Sequence, residues 1–106
     1  MAVVQVSTLR VKPDRYEDYL EDSRKVKALV EKHGGKNVRL LAALVAGEQT
    51  GAMAFISETD DFAAYGAVMD KVLADPEGLA LLSSTNTTAS PLAGGFQMTT
   101  WVDVPL

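Results

Sequence analysis

No cysteine occurs among the 106 residues, which removes disulfides, thiolate metal sites and cysteine nucleophiles together and fits a reducing cytoplasm. Histidine is nearly as scarce. His33 is the single imidazole, too few for the usual catalytic zinc or iron sites, and Glu17, Glu21 and Asp22 fall on an ordinary charged helix face, so neither a metal nor a cofactor is expected. Positive charge is in deficit, with 10 Lys and Arg against 14 Asp and Glu and a net charge of −4. Without a basic stripe to displace counterions from phosphates, nucleic acid and anionic membranes are not expected as partners. No apolar run approaches the roughly 18 residues that span a bilayer, and the opening "MAVVQVSTLRV" lacks the basic start of a signal peptide. Without that signal, the glycosylation acceptor Asn86 to Thr88 reads as unused. No "GxSxG" elbow is present to expose a serine nucleophile. "HGGKN" and "LAGGF" match neither phosphate-loop nor dinucleotide fingerprints, so their glycines read as turns.

What the chain does have is an ordinary globular composition, 47% hydrophobic, at a length that fits one domain spanning 1–106. Residues 3–11, rich in β-branched side chains, read as a strand. Pro13 opens a long helix over 14–33, with Asp14, Glu17 and Asp18 early and Arg24, Lys25, Lys27 and Lys32 late, as the helix dipole favours. Tyr16, Tyr19, Leu20, Ser23, Val26, Val30 and His33 share one face of it. Gly34-Gly35 ends it. Strands follow at 38–45 and 52–57 as a hairpin around the polar turn 46–51. Thr59 is the expected cap of a second helix, whose face carries Phe62, Tyr65, Val68, Met69 and Val72. Asp75-Pro76 interrupts that helix, a short one covers 76–83, and 96–104 read as the last strand.

The resulting β-α-β-β-α-β order is the ferredoxin-like α+β arrangement, with a four-stranded antiparallel sheet carrying the two main helices on one face. Alternation divides the strand residues into two sets. Val4, Val6, Val38, Leu40, Ala42, Leu44, Ala52, Ala54, Ile56, Phe96, Met98 and Val102 are nearly all apolar and are expected beneath the helices. The opposite set mixes apolar with hydrogen-bonding groups: Gln5, Ser7, Leu9, Arg39, Leu41, Ala43, Met53, Phe55, Ser57, Gln97, Thr99, Trp101 and Asp103. Such a surface suits a cavity wall closed by a second sheet. The ligand-binding candidates taken from it are Gln5, Ser7, Arg39, Phe55, Gln97 and Trp101. Arg39 is expected to point inward, held by Asp103 or another polar neighbour, because a buried unpaired guanidinium is costly. His33 reads as the end of its helix, where an imidazole meets unsatisfied carbonyls, rather than as a general base.

The opening strand, the helix ending "EKHGG", the hairpin "VRLLAALVAGEQTGAMAFIS" and "VLADPEGLALL" resemble the dimeric α/β-barrel superfamily, in particular its NIPSNAP-like and antibiotic-monooxygenase-like members. That resemblance implies a homodimer in which two sheets face each other as a barrel. It includes haem-degrading enzymes, but these depend on a first-strand asparagine, a third-strand tryptophan and a second-helix histidine. Here Gln5 or Ser7 and Phe55 stand instead, and 59–74 contain no histidine. Cofactor-independent oxygenases of the superfamily use asparagine, tryptophan or arginine around a flat aromatic substrate, and Trp101, Arg39 and Gln97 are comparable types. Trp101 serves equally as an anchor between subunits. The functional expectation is a barrel cavity binding a small, partly apolar molecule, in catalytic form as a cofactor-independent monooxygenase or isomerase. The alternative is a non-enzymatic homodimeric interaction module whose barrel is filled by its own side chains.

Overall fold

The computed structural model describes residues 2–45, 47–85 and 93–106, with side chains described except at 49, 82–85 and 93–96. Asn86 to Thr88 and the side chain of Phe96 therefore lie outside the described residues. The order is β1 (Val3–Val11), α1 (Tyr16–Lys32), β2 (Lys36–Ala42), β3 (Met53–Thr59), α2 (Phe62–Ala74), α3 (Pro76–Thr85) and β4 (Ala93–Val102). The strands form one antiparallel sheet in the order β2-β3-β1-β4, the ferredoxin-like α+β topology. No described helix is long and apolar enough to cross a membrane.

Local chemistry sets the helix ends. Pro13 lies in a 3-10 turn, Pro13–Arg15, leading into α1, where its missing N–H costs nothing. At the far end His33 is the C-cap and Gly34 follows at φ 108°. The Gly35 amide donates to the Val30 carbonyl at 2.8 Å and the Gly34 amide to that of Glu31 at 3.2 Å. This reciprocal pair is the Schellman closure, and it needs the left-handed residue that glycine supplies. At α2 the cap is Asp61, whose carboxylate accepts from the Ala64 amide at 2.7 Å, not Thr59 as the sequence led us to expect. Thr59 is still in the sheet opposite Val3, and its hydroxyl donates to the Asp61 carbonyl at 3.3 Å. Asp75 takes the extended backbone that a residue before proline prefers. Its carboxylate accepts from the Glu77 amide at 3.0 Å and so starts α3.

The helices bury the stripes their periodicity announces, with three adjustments. On α1 Tyr19, Ser23 and Val26 are buried, Leu29 joins them and Tyr16 stays exposed; on α2 Val68 and Val72 are buried while Phe62 is exposed. Two clusters form among the buried side chains. Leu9, Tyr19 and Met53 pack at one end of the sheet, and Leu29, Val68 and Val72 pack among the helices.

Cross-strand partners fix which side chains share a sheet face. Val3 lies opposite Thr59, Gln5 opposite Ser57, Ser7 opposite Phe55 and Leu9 opposite Met53. On the other flank Ser7 faces Met98 and Val3 faces Val102, and Leu40 lies opposite Phe55. This is the helix-covered face. The two-set expectation is right for Leu40, Ala42, Met98 and Val102 of β2 and β4 but reversed in β1 and β3, where Val4, Val6, Ala54 and Ile56 lie on the face without helices. Leu44 belongs to neither face, because β2 ends at Ala42 and Leu44 is exposed in the following loop. The reversal has a physical cause. β1 is partly apolar in both phases, and a register shift between Lys36 and Arg39 breaks the simple alternation linking β2 to β3.

Candidate functional site

The helix-covered face is polar where a dry core would be apolar. Along β1 it reads Val3, Gln5, Ser7, Leu9, and along β3 Met53, Phe55, Ser57, Thr59. Apolar residues anchor it at Val3, Leu9 and Met53, and the middle carries an amide and three hydroxyls. A cavity of about 60 Å³ lies over this middle, roofed by Val26 and Val30 of α1 and by Tyr65, Met69 and Val72 of α2, with Met98 at its side. Its volume exceeds the roughly 10–15 Å³ that one water requires. Burying a hydroxyl or amide without a partner costs about 1–3 kcal/mol. No described buried side-chain nitrogen or oxygen is orphaned.

Ser7 is only 5% exposed and lines the cavity. Gln5 lies beside it, its Nε2 donating to the thioether of Met98 at 2.7 Å. A thioether is a weak acceptor, so a ligand carbonyl or water competes for this amide at little cost. Among the described residues the cavity lining holds amide, hydroxyl and phenol groups but no carboxylate, imidazole or amine. It can therefore donate hydrogen bonds to a carbonyl or enolate oxygen, whereas its side chains include no strong proton acceptor.

Of the six residues nominated from sequence, the structure brings together Gln5, Ser7 and Phe55 in this cavity and leaves Arg39, Gln97 and Trp101 on the opposite face. Arg39 does not meet Asp103. Its guanidinium donates to Glu58 at 3.0 Å and to the Asn37 carbonyl at 2.8 Å. Gln97 and Trp101 border a shallow depression of about 310 Å³ with Val6, Thr8 and Ala54. The Trp101 indole N–H donates to Thr99 Oγ1 at 2.8 Å and its side chain is 62% exposed. The residues missed are Tyr65 and Met69 on α2, Thr59, and Met98, together with Ser57, which had been placed on the other face. A signal for them existed: Gln5, Ser7, Ser57 and Thr59 share their strand phase with the large residues Leu9, Met53 and Phe55.

His33 and Tyr19 lie outside the cavity. His33 Nε2 stands 3.4 Å from Asp75 Oδ2, and that contact, with the Glu77 amide, holds the Asp75 carboxyl below the ordinary carboxylate range. Burial pushes the Tyr19 phenol up, partly offset by its hydrogen bond with Ser23. Both are structural placements.

No family model and no curated protein matches the sequence. Solved structures do. A NIPSNAP-domain protein from Burkholderia xenovorans superposes with a TM-score of 0.72 at 14% identity, covering 96% of this chain and 94% of its own. SnoaB, a cofactor-independent oxygenase from Streptomyces nogalater, gives 0.72 at 14% identity over 99% of this chain and 95% of its own. An antibiotic biosynthesis monooxygenase gives 0.69 at 19% identity over 99% and 100%. At these identities the likeness is one of fold. The chain has the ferredoxin-like α+β fold that NIPSNAP-domain and antibiotic-monooxygenase-like proteins share.

Proposed function

We propose that the chain binds a small, partly apolar carbonyl or phenol compound in the cavity between the sheet and the helices. The observation that carries this reading is the inverted patterning of the sheet. Gln5, Ser7, Ser57 and Thr59 occupy the covered face, where packing alone calls for apolar side chains, and apolar helix residues close over them. A flat body would enter between Phe55 and the valines by widening the present space of about 60 Å³, with Gln5 and Ser7 donating to its oxygen. The finer form of the proposal is a cofactor-independent monooxygenase. With no strong base among the described lining groups, the substrate must itself be acidic enough to ionise near neutral pH. Its enolate or phenolate, held by those donors, supplies the electrons that dioxygen accepts. A ring methylene then becomes a carbonyl, with one oxygen atom retained and the other leaving as water. The oxygenase and monooxygenase with this fold support that form; an isomerase would use the same donors to hold an enolate.

The face without helices supports a homodimer. Val4, Val6, Leu41, Ile56 and Trp101 lie on it, and an exposed tryptophan among aliphatic residues is the composition of an interface core. A second copy stacked there closes the barrel. A non-enzymatic role, with association as the whole function, rests on this same face. We place the protein in the cytoplasm on its cysteine-free composition.

A thermal-shift screen of flat phenols, anthrones and cyclic ketones tests the reading. Stabilisation by some of them, abolished in Ser7→Leu and Ser57→Leu variants that stay folded, supports it. Compounds that stabilise those variants as well as the parent contradict it.

A further inference from the structure

Beside the cavity, at the β2 edge, a second pocket of about 200 Å³ runs beneath α1, with an apolar floor of Leu20, Leu40 and Phe55 and with Ser23, Arg24, Lys27 and Arg39 around it. Phe55 also walls the first cavity, so the two spaces share one aromatic ring. Resting on the ligand reading above, we propose that the second pocket is an anion subsite. The natural ligand then carries a carboxylate that lodges against Arg24 and Lys27 while its apolar body passes Phe55 into the cavity.

Two cations of α1, Arg24 and Lys27, line this pocket against an overall charge of −4, and Arg39 borders it at the β2 edge with its guanidinium turned to Glu58 and the Asn37 carbonyl. Their internal counter-charges do not use them up. Arg39 is committed to Glu58 at 3.0 Å. Lys27 meets Glu31 at 2.9 Å across one helix turn, with both side chains about half exposed, a pair of the weak kind that a better partner displaces. Arg24 makes no ion pair among the described residues. Its planar fork suits a carboxylate bidentately, and the buried hydroxyl residue Ser23 lies beside it on the same pocket wall. The sequence reading of Arg24 and Lys27 as dipole complements does not hold, because that effect is confined to the last turn, where only Lys32 stands; Arg24 and Lys27 come earlier on α1 and line the pocket.

The test pairs 3-phenylpropanoate with its neutral amide, using calorimetry and amide NMR on the full chain, the double variant Arg24→Gln with Lys27→Gln, and Ser57→Leu. The expected result is a carboxylate preference of about tenfold that disappears in the double variant and weakens with added salt. Amide binding should be the same in parent and double variant. Equal binding of the two probes by the parent overturns the anion subsite and leaves the cavity reading intact. Carboxylate binding that survives Ser57→Leu, with the protein folded by circular dichroism, overturns the cavity reading and with it the shared ligand. Failure of the parent to bind either probe counts against both.

Discussion

His33 Nε2 and Asp75 Oδ2 lie 3.4 Å apart, joining the last turn of α1 to the joint between α2 and α3. The contact accounts for both residues without a substrate. His33 is the C-cap of α1 through its backbone, while its imidazole meets Asp75 rather than the helix-end carbonyls that its position suggests; Asp75 starts α3 through the Glu77 amide, and the two side chains are less than one-fifth exposed. Replacing His33 by glutamine should keep the fold and cost about 1 kcal/mol or less. Gly34→Val should cost more, because φ 108° excludes a β-branched residue. Urea denaturation of the two variants checks the order.

The same contact sets a pH dependence with a definite sign. The Asp75 carboxyl is held below its ordinary value of 3.8 by the His33 hydrogen bond first and the Glu77 amide second. The unfolded chain therefore binds a proton there at a pH where the folded chain does not, and stability rises with pH through that window. The contribution is complete above the ordinary carboxylate range and is lost as pH falls through the depressed value. The stability gap between the parent and Asp75→Asn should shrink on acidification below 3.8. A gap that widens on acidification would contradict this.

Much of the architecture was legible in the sequence. The element order, the stop at Gly34 and the break at Asp75-Pro76 each follow from a local rule that tertiary packing did not override. The face assignment of β1 and β3 was not. In β1, Val4 and Val6 form the more hydrophobic phase, and hydrophobicity alone places them in the core. The covered face holds Gln5, Ser7, Ser57 and Thr59, and a cavity lies over them. Size was the better guide than hydropathy, since Phe55 and Met53 alternate with Ala54 and face the helices. Arg39, Gln97 and Trp101 stand on the helix-free face, as their strand phase indicates, and do not line the cavity beneath the helices.

Ser7 should show the trade between stability and function. Replacing its nearly buried hydroxyl with the apolar side chain of valine fills space beside Phe55 and removes a polar group, so Ser7→Val should gain about 1 kcal/mol in thermal unfolding. It should lose ligand binding at the same time. A stabilised variant with undiminished binding would separate Ser7 from the site.

Trp101 should govern association. Light scattering should give a mass twice that of the 11.3 kDa chain, and Trp101→Glu should give the monomer, because a carboxylate facing apolar side chains is expensive to desolvate. The indole emission of the parent should shift to longer wavelength on dilution through the dissociation range.

On the proposed function the ligand enters the space beneath the helices and not the opposite face of the sheet. Methyl-labelled methionines and the single indole report on the two sides at once, since Met69 and Met98 line the cavity and Trp101 borders the opposite depression. During titration with a binder from the phenol and ketone screen, the Met69 and Met98 methyl resonances should move while the Trp101 indole resonance stays in place. Movement of the Trp101 resonance with both methyl signals stationary would place the ligand on the other face and rule out the cavity beneath the helices as its site.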